Sequence, residues 1–456
     1  MRFTTKARAM VITAIRTIGR ETDFPFDSFF NNLRAMKYGA FTNVQNSLQN
    51  YTKLSVYSIF LSIMFVSCVS ATSSLDKKHP HKTVTSSNAT PLILGNERLS
   101  EYFPLIEGKR VGIVGNQTSI IGKTNLVDSL LSRKINVVAV YSPEHGFRGD
   151  ADAGETIKSG KDAKTGLPIY SLYGNNKKPT KEQLAGIDVM LFDLQDVGVR
   201  FYTYISTLHY VMEACAEDGI SVIVLDKPNP NAHYIDGPIL EEKWQSFVGM
   251  HPVPTVYGMT IGEYARMING EKWLKDGIQC DLTVIVCENY THQTPYELPI
   301  APSPNLRTVA AIYLYPSLCL FEGTSVSVGR GTKTPFELYG HPNFPKTAFS
   351  FTPVSSYGAK DPLWKDKLCN GYLLSNDSSG LFEHHFQLKY LLQAQQLLAK
   401  ANVPFITSAN FFDKLAGTSN LREQILAGKS EAEIRSTWEK GLEDFKVKRS
   451  QYLLYK

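Results

Sequence analysis

Four stretches of this chain hold side chains able to do acid–base or ion-pairing chemistry. The first is Ser142-Pro143-Glu144-His145-Gly146-Phe147-Arg148-Gly149. A carboxylate beside Pro143 and before Gly146 sits in a constrained turn, a setting that can suit it to general-acid work. His145 can orient or hydrogen-bond that group. Read alone, Glu144 serves equally as a loop salt bridge. Glu155, in Asp152-Ala153-Gly154-Glu155, offers a second carboxylate on the same loop. The second stretch runs from Asp193 to Tyr204. Either Asp193 or Asp196 can face a ligand, or Asp196 can cap the following helix. The planar guanidinium of Arg200 suits bidentate capture of a ligand carboxylate. Tyr202 and Tyr204 provide stacking faces and hydroxyls, or simply pack the helix. The third stretch, Asp226-Lys227-Pro228-Asn229-Pro230, brings Asn229 as a polar contact. The fourth, residues 321–332, carries Glu322 and Arg330 among glycines that allow close backbone approach, and it also reads as a glycine-turn hairpin.

Stepping from residues to elements, short apolar strands alternate with amphipathic helices. Strands are expected at 110–115, 136–142, 187–194, 221–226 and 281–287, with helices at 124–133, 202–217 and 260–269. Apolar runs without strict alternation, separated by helices, imply an α/β fold with a mainly parallel sheet covered on both faces. In such sheets ligands bind outside the carboxyl ends of the strands. The first three polar stretches each follow a strand, so they are expected to build one shared site. The proline-rich segment 299–306 (PIAPSPNL) marks a crossing. An α/β domain over 92–300 and a smaller α+β domain over 301–456 are expected, with long helices at 383–400 and 430–446.

The 456 residues are 43% hydrophobic and 20% charged, the balance of a globular protein with room for two cores. The net charge of +5 comes from scattered basic residues, which does not imply nucleic acid. Residues 54–75 carry no charge and follow Lys53, and their apolar part, 54–66, is short for a membrane span. The segment reads as the core of a signal peptide within an N-terminal extension, 1–71, followed by a polar tether, 72–91. Phe65-Val66-Ser67-Cys68 is similar to a lipobox, with Cys68 as the lipid-anchored terminus, while Val69-Ser70-Ala71 suits ordinary cleavage. Either route gives an exported protein of the periplasm or a lipoprotein of the outer membrane. Translation starting at Met36 would leave a signal peptide of normal length. The other five cysteines, Cys215, Cys280, Cys287, Cys319 and Cys369, form no CxxC pair and have no histidine at metal-ligand spacing. The run Gly115-Asn116-Gln117-Thr118-Ser119-Ile120-Ile121-Gly122-Lys123-Thr124 ends like a phosphate-binding loop. Gln117, however, stands where the first glycine belongs. Nor is there a G-x-G-x-x-G fingerprint or a G-x-S-x-G nucleophile elbow.

Taken in order, the strings SPEHGFRG, LFDLQDVGVRFYTY, DKPNP, PSPNL and FEGTSVSVGRGTKTPFE make the chain resemble the NamZ-type exo-β-N-acetylmuramidases from about Leu94 onward. The resemblance implies a Rossmann-like α/β domain plus a smaller C-terminal domain, with the active site in the cleft between them. It implies hydrolysis of non-reducing-end N-acetylmuramic acid from peptidoglycan fragments during cell-wall turnover, on a saccharide of the MurNAc-GlcNAc type. It implies no metal, no nucleotide and no other cofactor. The family's motif glutamate falls on Glu144, which takes the catalytic role, with Glu155, an aspartate or the substrate's acetamido group as second participant. The lactyl carboxylate of muramic acid gives Arg200 or Arg330 a reason to line the cleft. His145, Asp193, Asp196, Tyr202, Asn229 and Glu322 are expected there too. The alternatives are an exported protein that captures muropeptides without cleaving them and, less well supported, a nucleotide-dependent enzyme.

Overall fold

In the computed structural model, residues 90–144, 146–148, 159–375 and 385–456 are described, all within a compact unit spanning Asn88–Lys456. The apolar segment 54–75, Cys68, His145 and Glu155 lie outside the described residues. Among the described residues, nine strands occupy the first part: β1 (Val111–Gly115), β2 (Ile120–Ile121), β3 (Thr124–Asn125), β4 (Val137–Ser142), β5 (Gly160–Lys161), β6 (Pro168–Ser171), β7 (Val189–Asp193), β8 (Ser221–Leu225) and β9 (Leu282–Ile285). Seven of them form one sheet in the order β5-β6-β4-β1-β7-β8-β9. All pairings are parallel except β5 with β6, as the α/β pattern requires.

The sheet is apolar on both faces. Val114, Ala139, Tyr141, Met190, Phe192, Val222 and Val224 point to one side, and their neighbours Val111, Ile113, Val140, Leu191, Ile223 and Leu225 to the other. Helices α1 (Leu99–Ile106) and α2 (Leu126–Ser132) cover the second face through Tyr102, Ile106, Leu126 and Leu130. After the single turn α3 (Lys181–Leu184), α4 (Tyr204–Glu217) and α5 (Ile261–Gly270) cover the first through Ile205, Leu208, Tyr264 and Ile268. Local signals set the starts of two of these helices. The Asn125 side chain accepts the Val127 amide of α2 at 3.0 Å, and Thr260 with Glu263 closes a reciprocal capping box on α5.

The core beneath the first face continues into the C-terminal part. There α6 (Val309–Leu318) leads through a 3-10 turn, Cys319–Gly323, to an antiparallel sheet ordered β10 (Leu338–His341), β12 (Cys369–Leu373), β11 (Phe349–Phe351). Five helices follow: α7 (Lys389–Lys400), α8 (Ala409–Ala416), α9 (Asn420–Leu426), α10 (Glu431–Ser436) and α11 (Glu439–Ser450). The single helix expected over 430–446 is thus broken. Ser436 and Thr437 turn their hydroxyls back onto the Glu433 and Ile434 carbonyls, and Trp438 is buried against Phe386 instead of continuing the helical face. β6 was not anticipated. Its four residues begin with a proline and lack the long apolar run that marked its neighbours. Among the described residues no helix is long and apolar enough to cross a membrane.

The C-terminal tail is tied to the end of β8. Asp226, fully buried, accepts the Tyr455 hydroxyl at 2.7 Å, the Thr260 hydroxyl at 2.7 Å and the Gly262 amide at 2.8 Å. The Tyr455 oxygen in turn accepts the Cys287 amide at 2.8 Å. Burial pushes Asp226 up to about 6 against the pull of these donors. Because that value lies above the ordinary carboxyl range, the contribution of Asp226 to stability falls as pH rises through about 6. Tyr455→Phe removes one donor to the charged form, raises the carboxyl further and steepens that fall. The variant is expected to lose about 1–3 kcal/mol, with the larger deficit at pH 8 than at pH 4.5. Urea unfolding at the two pH values measures this, and equal deficits would contradict the assignment.

Candidate active site

Glu144 stands two residues beyond β4, beside the end of β6. It lines a cleft of ≈ 650 Å³ together with Tyr173, Phe201 and Thr203 from the strand-end loops and Glu322 and Arg330 from the C-terminal part. A narrower recess shares Glu144 and Arg330 and is walled by Tyr202, Tyr204 and Ser303. One polar site is therefore assembled from loops that leave neighbouring strands, where a parallel sheet presents its ligands.

Arg330 reaches this cleft with its charge already matched. Its Nε donates to Glu322 Oε1 at 2.5 Å, and its guanidinium carbon sits 5.0 Å from the centroid of the Phe336 ring. Burial works against the guanidinium, but the Glu322 carboxylate more than offsets that and holds the pKa above its ordinary value. Such a pair presents a fixed cation edge on an aromatic backing, suited to an anionic or hydroxyl-rich ligand. Tyr173 hydrogen-bonds Glu144; burial first, then the charge of Glu144, pushes the phenol up. Tyr202 donates to the Pro302 carbonyl at 2.9 Å, and its ring meets Tyr204 edge-on at 4.7 Å.

Of the expected site residues, Glu144, Tyr202, Glu322 and Arg330 are brought together. Four others are not. Asp193 is fully buried at the end of β7, 3.0 Å from Lys227 Nζ and 3.2 Å from Asn96 Nδ2. Burial pushes its carboxyl up while Lys227 opposes the shift. Asp196 is buried against the Tyr257 hydroxyl and the Gly198 amide, and burial takes it up to about 6. It does not cap α4 either, because that helix begins after Thr203 without a side-chain cap. Asn229 spends its amide on the Met259 carbonyl and its oxygen on the Asn231 amide, both at 2.8 Å, and packs so tightly on Gly198 that a Cβ there would come within 2.1 Å of it.

Arg200 is the largest departure. It is fully buried and lines neither cavity. Its guanidinium donates to the Pro238 carbonyl at 2.8 Å, Val253 at 2.7 Å, Leu415 at 3.1 Å and Ala416 at 2.6 Å. The last two are the orphan carbonyls at the C-terminus of α8, where a cation is favoured. Gly417, at φ +77°, makes room: a Cβ there would lie 2.5 Å from Arg200 Nη2. Arg200 is thus a helix clamp rather than a ligand clamp, and burial draws its pKa down to about 9.

Tyr202 and Tyr204 wall the recess as their stacking faces suggested, but Tyr173, Phe201 and Thr203 were missed. Tyr173 follows the unanticipated β6, so the rule that polar residues past strands line the site would have found it only with that strand in place. Phe201 and Thr203 lie inside a string already singled out, but their neighbours drew attention by charge. Among the described residues no group of three or more His, Cys, Asp or Glu side chains is arranged to hold a metal ion.

A strand-end carboxylate, an ion-paired arginine and aromatic walls in one cleft are the equipment of a glycoside hydrolase. Family models for exo-β-N-acetylmuramidase NamZ match this chain twice, the N-terminal model over residues 111–310 and the C-terminal model over 313–455. The chain belongs to the NamZ family. A peptidoglycan β-N-acetylmuramidase from Bacillus subtilis (strain 168) is 40% identical over 383 residues, covering 78% of this chain and 89% of that one. Two crystal structures of DUF1343 family proteins from Bacteroides fragilis NCTC 9343 share the fold. One has a TM-score of 0.74 and 48% identity, the other 0.69 and 30%; each comparison covers 80% of this chain and 99% of the other.

Arg200→Lys is expected to lower stability by about 2–4 kcal/mol, because an ammonium group cannot span four carbonyls in two directions. Denaturant unfolding measures the loss; a change under about 0.5 kcal/mol would show that the four bonds do not hold the helix.

Proposed function

We propose that this chain is an exo-acting β-N-acetylmuramidase that releases N-acetylmuramic acid from the non-reducing end of peptidoglycan fragments. The observation that carries this reading is the joint presence of Glu144 and the Glu322–Arg330 pair in one cleft. Hydrolysis of a glycosidic bond needs an acid to protonate the leaving oxygen and a group to stabilise or attack the anomeric carbon. Glu144 supplies the acid. Arg330 holds the lactyl carboxylate, its charge kept in place by Glu322 and its face by Phe336. Of the two arginines expected to meet that carboxylate, Arg330 is the one that lines the cleft, and Arg200 is buried away from it. The second participant is drawn from Glu155, Glu322 or the substrate's own acetamido group. Names carried by the Bacillus relative and by both family models agree with this activity.

Glu144→Gln is expected to fold normally and to lose at least ~100-fold of the hydrolysis of an aryl β-N-acetylmuramide and of MurNAc-β-1,4-GlcNAc. Retention of more than a tenth of wild-type turnover would remove Glu144 from the chemistry.

The substrate also argues for a protein outside the cytoplasm, consistent with the uncharged segment 54–75 and with Cys68 within it. Mass spectrometry of the mature protein expressed in its native host is expected to show an N-terminus at Cys68 carrying acyl chains, or one just after Ala71. An intact segment 54–75 would argue against export by cleavage.

A further inference from the structure

The segment that ends like a phosphate loop, Gly115 to Thr124, is put to another use. Its residue Asn116 is completely buried, and all four polar functions of Asn116 are hydrogen-bonded. Asn116 Oδ1 accepts the Thr118 amide at 2.9 Å and the Thr118 hydroxyl at 2.7 Å. A backbone N–H can only donate, so the oxygen end of the side-chain amide faces Thr118 and the nitrogen end faces away. That nitrogen donates to the Tyr204 hydroxyl at 2.7 Å. The Thr118 hydroxyl is itself polarised in the same sense, because it accepts the Gln195 amide at 3.2 Å. Thr118 is held from behind as well, its carbonyl accepting Lys227 Nζ at 2.8 Å.

A phenol has one proton. With its oxygen accepting from Asn116, Tyr204 must direct that proton elsewhere. The Pro302 carbonyl is reached only at 3.5 Å, and the Tyr202 hydroxyl already donates to it at 2.9 Å. Beside the Tyr202 hydroxyl, which touches the Tyr204 hydroxyl and spends its own proton on Pro302, the direction left is the recess that Tyr204 shares with Glu144 and Arg330. Glu144 lies near enough for its charge to raise the Tyr204 pKa.

We propose that Asn116 is a positioning residue that fixes the Tyr204 hydroxyl as a hydrogen-bond donor into the recess beside Glu144, for an oxygen of the bound sugar. The hydrogen bonds run one way, from the Gln195 amide through Thr118 to the Asn116 oxygen, and from the Asn116 nitrogen through Tyr204 to the ligand. Lone pairs at the phenol oxygen are thereby kept from the ligand. The assay of this inference rests on the muramidase reading of the cleft; the geometry does not.

Asn116→Asp is isosteric and reverses the polarity, since a carboxylate can only accept and Tyr204 must then donate away from the recess. Hydrolysis of the aryl β-N-acetylmuramide is expected to fall roughly tenfold in kcat/KM, the size of one hydrogen bond, and Tyr204→Phe to fall by about as much. In the Tyr204→Phe background, Asn116→Asp should cost less than about twofold, because the donor it misdirects is already gone. A merely structural Asn116 would give losses that multiply in the double variant, and that result, or an Asn116→Asp enzyme within twofold of wild type, overturns the proposal. Should Asn116→Asp fail to fold, Asn116→Ala alone and combined with Tyr204→Phe runs the same cycle. If the wild-type protein turns over neither substrate, it is the muramidase reading that fails. The positioning claim is then decided by neutron diffraction, which should place the Tyr204 deuterium on the recess side; deuterium on the Asn116 side overturns it.

Discussion

The Arg200 guanidinium sits where three parts of the chain meet. Two of its bonds go to the loops at Pro238 and Val253, and two to the last carbonyls of α8. Its own backbone belongs to the loop after β7 that supplies Phe201, Tyr202 and Thr203 to the cleft. Helix α8 supplies Phe411 and Leu415 to the same cleft. One buried cation therefore holds both walls in register. No carboxylate bonds it, and none is needed. Four carbonyl dipoles, two of them at a helix C-terminus, solvate the charge where water is absent. Breaking such an arrangement is costly because the charge would remain in place without its partners.

The same economy governs the strand ends. A parallel sheet that feeds long loops over its carboxyl edge must satisfy many backbone groups out of reach of water. Asp193, Asp196, Asp226, Asn229 and Asn231 do this. Each bonds backbone amides, carbonyls or a neighbouring buried polar group, and each is almost wholly hidden. Glu144, by contrast, is left half-exposed at the strand ends and lines the cleft opposite Glu322 and Arg330 of the C-terminal part. A carboxylate sealed beneath the loops cannot reach a ligand, whereas one at a cleft wall is placed to exchange a proton with it.

Much of this was legible in the residues. Runs of Val, Ile and Leu bounded by turn residues marked five parallel strands to within two residues of their ends; the interior ones are buried on both faces and leave little room for polar interruption, while the edge strand β9 admits the exposed Thr283. The helix expected from Thr260 does begin there, where Thr260 and Glu263 close a capping box, a purely local device. The polar strings after β4 and β7, and the glycine-rich string around Arg330, marked segments that do converge. What they could not mark was direction. Charge and position past a strand are shared by a residue that grips a ligand and one that grips a carbonyl. Arg200 and Arg330 are both arginines in conspicuous strings, and only the path of the surrounding chain separates the one buried on a helix end from the one that lines the cleft.

The α/β class, the five central strands, the place of Glu144 just past one of them and the family itself were determined by sequence alone, because each depends on local periodicity or on residues adjacent in the chain. Tertiary structure alone decided which polar side chains stay half-exposed, that Tyr173 joins Glu144, and which way the hydrogen bonds through Asn116 point. These depend on groups tens to hundreds of residues apart reaching within about 3 Å of each other, and no pattern along the chain encodes such a distance.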